Sequence, residues 1–272
     1  MNEIKTIALV APSGKIRDFD DLNAKIEILS KNFTIKKFYD EKASKNYLSD
    51  TDKNRAEYFM NAFLDDEVDL ILSVRGGYGA IRTIDYIDFN KIKNTNKMYL
   101  ASSDATILLM MLSKKTNAKC FHGLMMTNGF VENLKKNIEI IRNESFKIDF
   151  TTIKKGKLKG RLWGGNLSSL VSMLSGEYFL PECNVVLFLE DLNEPLYKID
   201  KMIYEIFRCK NLKSKIKGII FGDFYVDKKE ILPLLKEYSE LFDVPCILTD
   251  EITHKINNTT IPYMKEIELI AN

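Results

Sequence analysis

Short apolar runs of strand length alternate with amphipathic stretches of helical length through the first half of the 272-residue chain, and this alternation constrains the fold most strongly. Strands are predicted over residues 4–10, 69–74 and 98–101, and helices over 22–29 and 54–63. Strands that alternate with helices are typical of a mostly parallel sheet with helices on both faces. The first half is therefore predicted to be an α/β domain.

Small residues follow these predicted strands. Ser13, Gly76 and Ser103 each lie just after an apolar run. Open α/β sheets bind their ligands in the crevice beyond the carboxyl ends of the strands. We therefore expect a functional site along this edge.

The second half is predicted to be a smaller mixed α/β domain. Residues 137–159 are charged and lack clear helical periodicity, so we expect a linker there, between an N-terminal domain at 1–136 and a C-terminal domain at 160–272. Within the second domain, helices are predicted over 167–174, 197–207 and 228–241, and strands over 184–189, 218–222, 244–248 and 266–270.

The charge balance argues against a nucleic-acid partner. The 40 basic and 38 acidic residues leave a formal net charge of +2, without a clustered basic face. The N-terminal apolar run is too short for a secretory signal, and no run of about 18 apolar residues occurs, so we expect a cytoplasmic protein without a membrane span. Four widely spaced cysteines predict neither a zinc site nor a disulfide framework: Cys120, Cys183, Cys209 and Cys246.

The chain has only two histidines, His122 and His254, and imidazole is the most frequent general base near neutral pH. His122 follows a predicted short strand, whereas His254 lies in a polar stretch before the last strands. Position alone does not separate a catalytic histidine from a structural one.

Ser103 has the strand, sharp turn and helix layout of a nucleophile elbow, although the usual glycines around the serine are missing. The same layout fits a helix N-terminus at which Ser102 or Ser103 is the cap. Glu190 and Asp191 follow another apolar run, so one carboxylate is expected at the end of a strand. There it would orient a histidine or remain a solvated strand terminus.

Several segments together resemble one family, the LD-carboxypeptidases, which include muramoyltetrapeptide carboxypeptidases and microcin-C immunity peptidases. The blocks run in the family's order between residues 8 and 262. They are Ala11-Pro-Ser-Gly14, Val74-Arg-Gly-Gly-Tyr-Gly79 with Arg82, Ser103-Asp-Ala-Thr106, His122-Gly-Leu-Met125, Gly164-Gly-Asn-Leu-Ser168, Leu189-Glu-Asp-Leu-Asn-Glu-Pro195 with Tyr197, Ile199 and Asp200, and His254 with Asn258 and Pro262.

The resemblance implies a flavodoxin-like N-terminal domain that carries the nucleophile and a smaller C-terminal domain that carries the acid and the histidine. It implies a catalytic triad of Ser103, Glu190 and His254, with an oxyanion hole formed by the backbone N–H groups of Gly77 and Asp104. The implied activity needs no metal or cofactor. It is the release of terminal D-alanine from a cytoplasmic murein tetrapeptide during cell-wall recycling, by a homodimer.

Substrate-binding residues are predicted less directly. Arg75 or Arg161 would pair with the substrate carboxylate, unless Arg75 braces its own glycine turn. Tyr78 is a further candidate. Trp163 and Asn166 are expected in a loop that lines the cleft, and a packing role is the alternative for the tryptophan.

Three departures from the family pattern bear on substrate choice: Ala101-Ser102 before the nucleophile, Thr253 before the histidine, and Leu124 in place of a proline. Two alternatives therefore stay open, an immunity-type peptidase that cleaves aminoacyl-sulfamoyl adenylate amides and a catalytically silent binding protein of the same fold. A nucleotide-binding oxidoreductase is disfavoured because the full dinucleotide glycine fingerprint is missing.

Overall fold

The computed structural model describes residues 3–176 and 179–272. The chain divides into two compact units, Met1–Asn143 and Glu144–Asn272. In the described residues, no helix has the length and apolar character needed to cross a membrane.

The first unit is built on parallel strands that are hydrogen-bonded in the order β5-β4-β3-β1-β2. This is the strand order of flavodoxin-like folds, so the predicted architecture is confirmed. The strands are β1 (Thr6–Val10), β2 (Thr34–Phe38), β3 (Leu70–Ser73), β4 (Met98–Ala101) and β5 (Lys119–His122), and the helices are α1 (Phe19–Ser30), α2 (Asp52–Leu64), α3 (Phe89–Ile92), α4 (Thr106–Lys115) and α5 (Leu134–Asn143).

Hydrophobic burial explains the arrangement of the first unit. Every residue of β1 and β3 is buried, as expected for central parallel strands covered on both faces. Strand β2 lies at the edge of the sheet and is partly exposed, which explains why its Lys-containing sequence carries only a weak strand pattern.

The second unit is mixed, as predicted, with strands in the order β12-β7-β8-β9-β10-β6. Strands β7 to β10 pair in parallel, while β12 and β6 are antiparallel to their neighbours. The strands are β6 (Thr151–Lys154), β7 (Gly156–Asn166), β8 (Val185–Glu190), β9 (Ile216–Phe221), β10 (Cys246–Leu248), β11 (Ile261–Pro262) and β12 (Glu266–Ala271), and the helices are α6 (Leu167–Met173), α7 (Leu196–Arg208), α8 (Lys210–Lys213) and α9 (Lys228–Phe242).

Sequence reasoning missed secondary structure within the predicted linker, 137–159, and the boundary between the two units, after Asn143, falls inside that segment. Helix α5 continues to Asn143 with its isoleucines buried, and strands β6 and β7 occupy half of the rest. The error has a physical cause, because Lys157 and Lys159 are exposed on β7 while Leu158 between them is buried. One solvated face of a strand is enough to make the segment look charged and unstructured.

Gly164 on β7 gives a test of this packing. Its backbone φ is +140°, and a Cβ atom there would lie 2.0 Å from the carbonyl oxygen of Phe188 on the neighbouring strand. We expect Gly164→Ala to lower the free energy of unfolding by about 3 kcal/mol, because both the strain and the clash must be relieved. Chemical denaturation measures the change. Lys159→Ala, on the exposed face of the same strand, is the control and should change stability by less than about 0.5 kcal/mol.

Candidate active site

In the first unit, Ser103 lies at the turn between β4 and α4. Its backbone φ is +54°, in the left-handed region that residues other than glycine rarely adopt. Such strain persists only where the surrounding structure holds the backbone in place. The serine of a nucleophile elbow has this kind of strained backbone conformation. Ser102 is the N-cap of the 3-10 turn Ser103–Ala105, but its side chain makes no cap hydrogen bond.

The glycine turn after β3 lies directly against Ser103. A Cβ atom on Gly76 would be 2.8 Å from both Cβ and Oγ of Ser103, so only a glycine leaves room for the hydroxyl. Gly77 is exposed with a φ of +116°. The structure therefore places the two predicted elements of this unit, the serine and the glycine turn, side by side.

Arg75 braces this turn. Its Nη1 donates to the backbone carbonyl of Lys15 at 2.6 Å, and its guanidinium lies beside Gly14 and Gly77. Burial and the charge of Arg17 lower the pKa of Arg75. Of the two roles that the sequence left open for Arg75, the structure shows the brace.

Tyr78 is half exposed, and its ring lies 6.1 Å from that of Tyr47. His122 ends β5 and is buried. Both belong to the first unit, and their parts in substrate binding and in catalysis stay untested.

In the second unit, Glu190 is the last residue of the fully buried strand β8, and its side chain is only 1% exposed. Its Oε2 lies 3.0 Å from Nδ1 of His254, whose side chain is 12% exposed. Gly222 makes room for the carboxylate, since a Cβ there would lie 3.1 Å from Cβ of Glu190 and 2.5 Å from the carbonyl oxygen of Ile252. The structure thus brings the predicted acid and histidine together.

The electrostatics of this pair favour a basic imidazole. Burial acts to lower the pKa of His254, but the charge and hydrogen bond of Glu190, with smaller contributions from Asp191 and Asp223, raise it above the ordinary 6.5. A carboxylate at Nδ1 fixes the ring orientation and the tautomer, so that Nε2 is the nitrogen that accepts a proton.

Asp191, the next residue in the chain, binds other partners. Its carboxylate accepts from Nδ2 of Asn166 at 2.9 Å and from the backbone N–H of Ser168 at 2.9 Å. Burial and the neighbouring Glu190 charge raise the pKa of Asp191, while these donors and the N–H of Leu192 counter the shift. Glu190 therefore faces the histidine, and Asp191 ties the end of β7 to the end of β8.

Trp163 and Asn166 do not lie in a loop, as the sequence predicted, but in strand β7. Trp163 is 1% exposed and its ring stacks against Phe179, with centroids 6.3 Å apart, so it has the packing role. Asn166 is the N-cap of α6 and accepts from the backbone N–H of Ser169. The sequence suggested a loop here, but parallel pairing of residues 161–166 with β8 makes the segment a strand.

Arg161 lies in the middle of β7, five residues before Asn166. It pairs in register with Val185 at the start of β8, whereas Asn166 pairs with Glu190 at the end. Five residues of strand separate the two positions by about 16 Å. Arg161 is therefore unsuited to bind a carboxylate beside Glu190.

Of the residues that hold the histidine loop, the sequence motifs included Asn258, but sequence reasoning missed Asp223. Asp223 follows β9 and accepts from the hydroxyl of Thr253 at 2.9 Å and from Nζ of Lys255 at 2.7 Å. Asn258 accepts from the backbone N–H of Thr253 at 2.9 Å. Burial acts to raise the pKa of Asp223, but Lys255, the N–H of Tyr225 and Thr253 lower it overall. A polar residue just after a strand was the available signal for Asp223.

Models of two domains match this chain. The LD-carboxypeptidase N-terminal domain matches residues 7–123, and the LD-carboxypeptidase C-terminal domain matches residues 159–269. The chain belongs to the LD-carboxypeptidase family. The family therefore spans both units, the one with Ser103 and the one with the Glu190–His254 pair.

Individual LD-carboxypeptidases and their relatives extend the comparison. A probable murein peptide carboxypeptidase of Bacillus subtilis is 32% identical over 199 residues, which cover 68% of this chain and 62% of that protein. The microcin C7 self-immunity protein MccF of Escherichia coli is 23% identical and covers 79% of this chain and 75% of its own length. The crystal structure of a muramoyltetrapeptide carboxypeptidase from Oxalobacter formigenes has the same fold, with a TM-score of 0.83, 23% identity and coverage of 98% and 96%.

The Glu190–His254 pair of this LD-carboxypeptidase predicts a measurable titration. The pKa of His254 in the folded protein is raised above 6.5. The pair therefore stabilises the fold fully when the pH is below the pKa of the histidine in the unfolded chain, and this stabilisation is lost as the pH rises through the pKa in the folded protein. NMR of the two histidine side chains should give a pKa above 6.5 for His254 and a lower value in Glu190→Gln. Glu194→Gln, a nearby carboxylate that pairs with Lys198, is the control and should leave that pKa unchanged. Equal pKa values in native protein and Glu190→Gln would contradict the assignment.

Proposed function

We propose that this LD-carboxypeptidase is a serine peptidase that hydrolyses an L,D peptide bond and releases terminal D-alanine from a murein tetrapeptide. The observation that carries the proposal is the buried contact of 3.0 Å between Oε2 of Glu190 and Nδ1 of His254. A carboxylate beside a histidine supplies two of the three members of a catalytic triad. The strained Ser103, on the other unit, supports the assignment of the nucleophile.

In the proposed mechanism, Oγ of Ser103 attacks the carbonyl carbon of the scissile bond while Nε2 of His254 accepts the hydroxyl proton. Glu190 keeps the imidazole oriented and stabilises its positive charge. The backbone N–H groups of Gly77 and Asp104 stabilise the oxyanion. His254 then donates its proton to the amine of D-alanine, which leaves, and a water molecule deprotonated by His254 hydrolyses the acyl-enzyme.

A carboxypeptidase must also bind the free carboxylate of its substrate. We propose Arg75 for this role, with the donors of its guanidinium that the carbonyl of Lys15 does not use. The proposal is supported by the position of Arg75 in the turn that lies against Ser103. Tyr78, exposed in the same turn, is proposed to contact the peptide.

Three finer statements complete the proposal. The reaction is independent of metal, because a triad with an oxyanion hole supplies all the acid, base and electrostatic chemistry that acyl transfer needs. The substrate is a murein peptide recycled in the cytoplasm, and the enzyme is a homodimer. The last two statements rest on the family resemblance of the motifs around Ser103, Glu190 and His254.

The decisive experiment measures free D-alanine released from purified murein tetrapeptide with a chelator present. We expect release by the native protein, a loss of about 10⁴-fold or more in Ser103→Ala, and near-native release by the neighbouring Ser102→Ala. An unchanged rate in Ser103→Ala would remove that serine from the mechanism. Loss of activity on chelation would contradict the metal-independent assignment.

Aspartyl sulfamoyl adenosine serves as the competing substrate in the same assay. An immunity-type activity needs an exposed aromatic surface for a nucleobase, which Trp163, buried against Phe179, does not supply and which Tyr78 and Tyr47 could. We expect the tetrapeptide to be preferred, because the probable murein peptide carboxypeptidase is 32% identical to this chain and the immunity protein is 23% identical. Cleavage of the adenosine compound without release of D-alanine would replace the murein assignment by the immunity-type one.

The same triad predicts the pH dependence of the rate. His254 must be neutral to accept a proton, and its pKa is raised above 6.5. The ascending limb of kcat/KM should therefore have its midpoint above pH 6.5, at the pKa found for His254 by NMR. Glu190→Gln should move the midpoint to lower pH and reduce the plateau. A native rate that does not change between about pH 5 and 8 would exclude His254 as the base.

A further inference from the structure

Arg55 is a buried arginine in the first unit, on helix α2, with a side chain only 1% exposed. Its Nη1 donates to the backbone carbonyl of Gly79 at 2.9 Å and to that of Pro12. Its Nε donates to the backbone carbonyl of Asp50 at 3.2 Å, and Nη2 pairs with the carboxylate of Asp52 at 2.5 Å. One guanidinium thus joins the helix to the loops that follow β1 and β3.

The side chain of Asp104 approaches the same loops from the elbow that follows β4. Its Oδ2 accepts from the backbone N–H of Ala80 at 2.8 Å. Burial raises the pKa of Asp104, and the hydroxyl of Ser13, the N–H groups of Ala80 and Gly79 and the charge of Arg55 counter that shift. Asp104 is 5% exposed, so water does not compete with these groups for its carboxylate.

We propose that Arg55 and Asp104 form a buried brace that fixes the glycine turn against the nucleophile, which makes both side chains positioning residues for the oxyanion hole. This inference rests on the proposed function. It goes beyond that function because it gives a role to Arg55, which does not touch the substrate. It also gives a role to the side chain of Asp104, whereas the proposed mechanism uses only the backbone N–H of that residue.

The local geometry explains why such a brace is needed. Gly79 has a φ of +126° and Ser103 has a φ of +54°, so the turn and the elbow are both held in conformations that most residues avoid. Gly76 lies between them, in contact with the serine hydroxyl. A displacement of about 1 Å between a nucleophile and its oxyanion donors lowers the rate about a hundredfold.

Stability alone does not account for the arrangement. A buried charged pair is usually no more stabilising than apolar residues of the same volume, because both charges lose their hydration. Arg55 donates to the backbone of Pro12 and Gly79, and Asp104 accepts from the backbone of Ala80. This pattern serves to hold loops in place.

A fluorophosphonate probe tests the brace independently of the peptide substrate. Oγ of Ser103 attacks phosphorus, a P–O bond forms, the P–F bond breaks, fluoride leaves and His254 takes the hydroxyl proton. We expect Arg55→Met, Arg55→Lys and Asp104→Asn to lower the labelling rate constant and kcat for the tetrapeptide about a hundredfold. The labelled fraction at completion and KM should change little. A lysine keeps the charge but cannot span the two carbonyls, so it should not restore the rate.

Arg82→Met is the matched control, because Arg82 pairs with the same Asp52 and its described side-chain hydrogen bonds go to that carboxylate. It should label at the native rate. The inference would be overturned if the brace variants were labelled at the native rate. It would also be overturned if only the labelled fraction at completion and the thermal stability fell. If Arg55→Met does not fold, the isosteric Asp104→Asn decides. Failure of the native protein to label at Ser103 would instead remove the proposed function, and the brace with it.

Discussion

A carboxylate that is 1% exposed is costly to bury without a partner, and Nδ1 of His254 lies 3.0 Å from Oε2 of Glu190. The apolar strand β8 carries Glu190 to the edge of the sheet, and Gly222 leaves space beside its Cβ. Asn258 holds the backbone of Thr253 and Asp223 holds its side chain, next to the histidine. This edge of the second sheet is thus arranged around the buried contact between Glu190 and His254.

The first unit presents the hydroxyl of Ser103 on a strained backbone. Parallel pairing of β1, β3 and β4 brings three loops to one edge. The left-handed φ of Ser103 lifts its side chain towards Gly76, where a larger residue would clash. Strain at the nucleophile is compatible with a stable fold because buried polar groups under the loops, Arg55 and Asp104, fix the backbone around it.

The sequence predicted the central elements well and the peripheral ones poorly. Strand β4 has the predicted bounds, 98–101, because a fully buried strand is a plain apolar run. The helix over 137–143 and strand β7 were missed, and on β7 exposed lysines and several glycines mask the pattern. Strand β7 forms nevertheless, because partners on both sides supply hydrogen bonds that local propensity does not reveal.

The sequence by itself determined the α/β class, the family and the candidate triad, because apolar runs set the strands and ordered motifs follow their ends. The strand pattern alone left open whether Glu190 or Asp191 serves the histidine; the family resemblance implied Glu190, and the tertiary structure places Glu190 beside His254. Successive strand residues point to opposite faces, so the pairing of β8 with its neighbours selects the residue that meets His254. The positive φ of Ser103 and the burial of Trp163 likewise depend on contacts with residues distant in the chain.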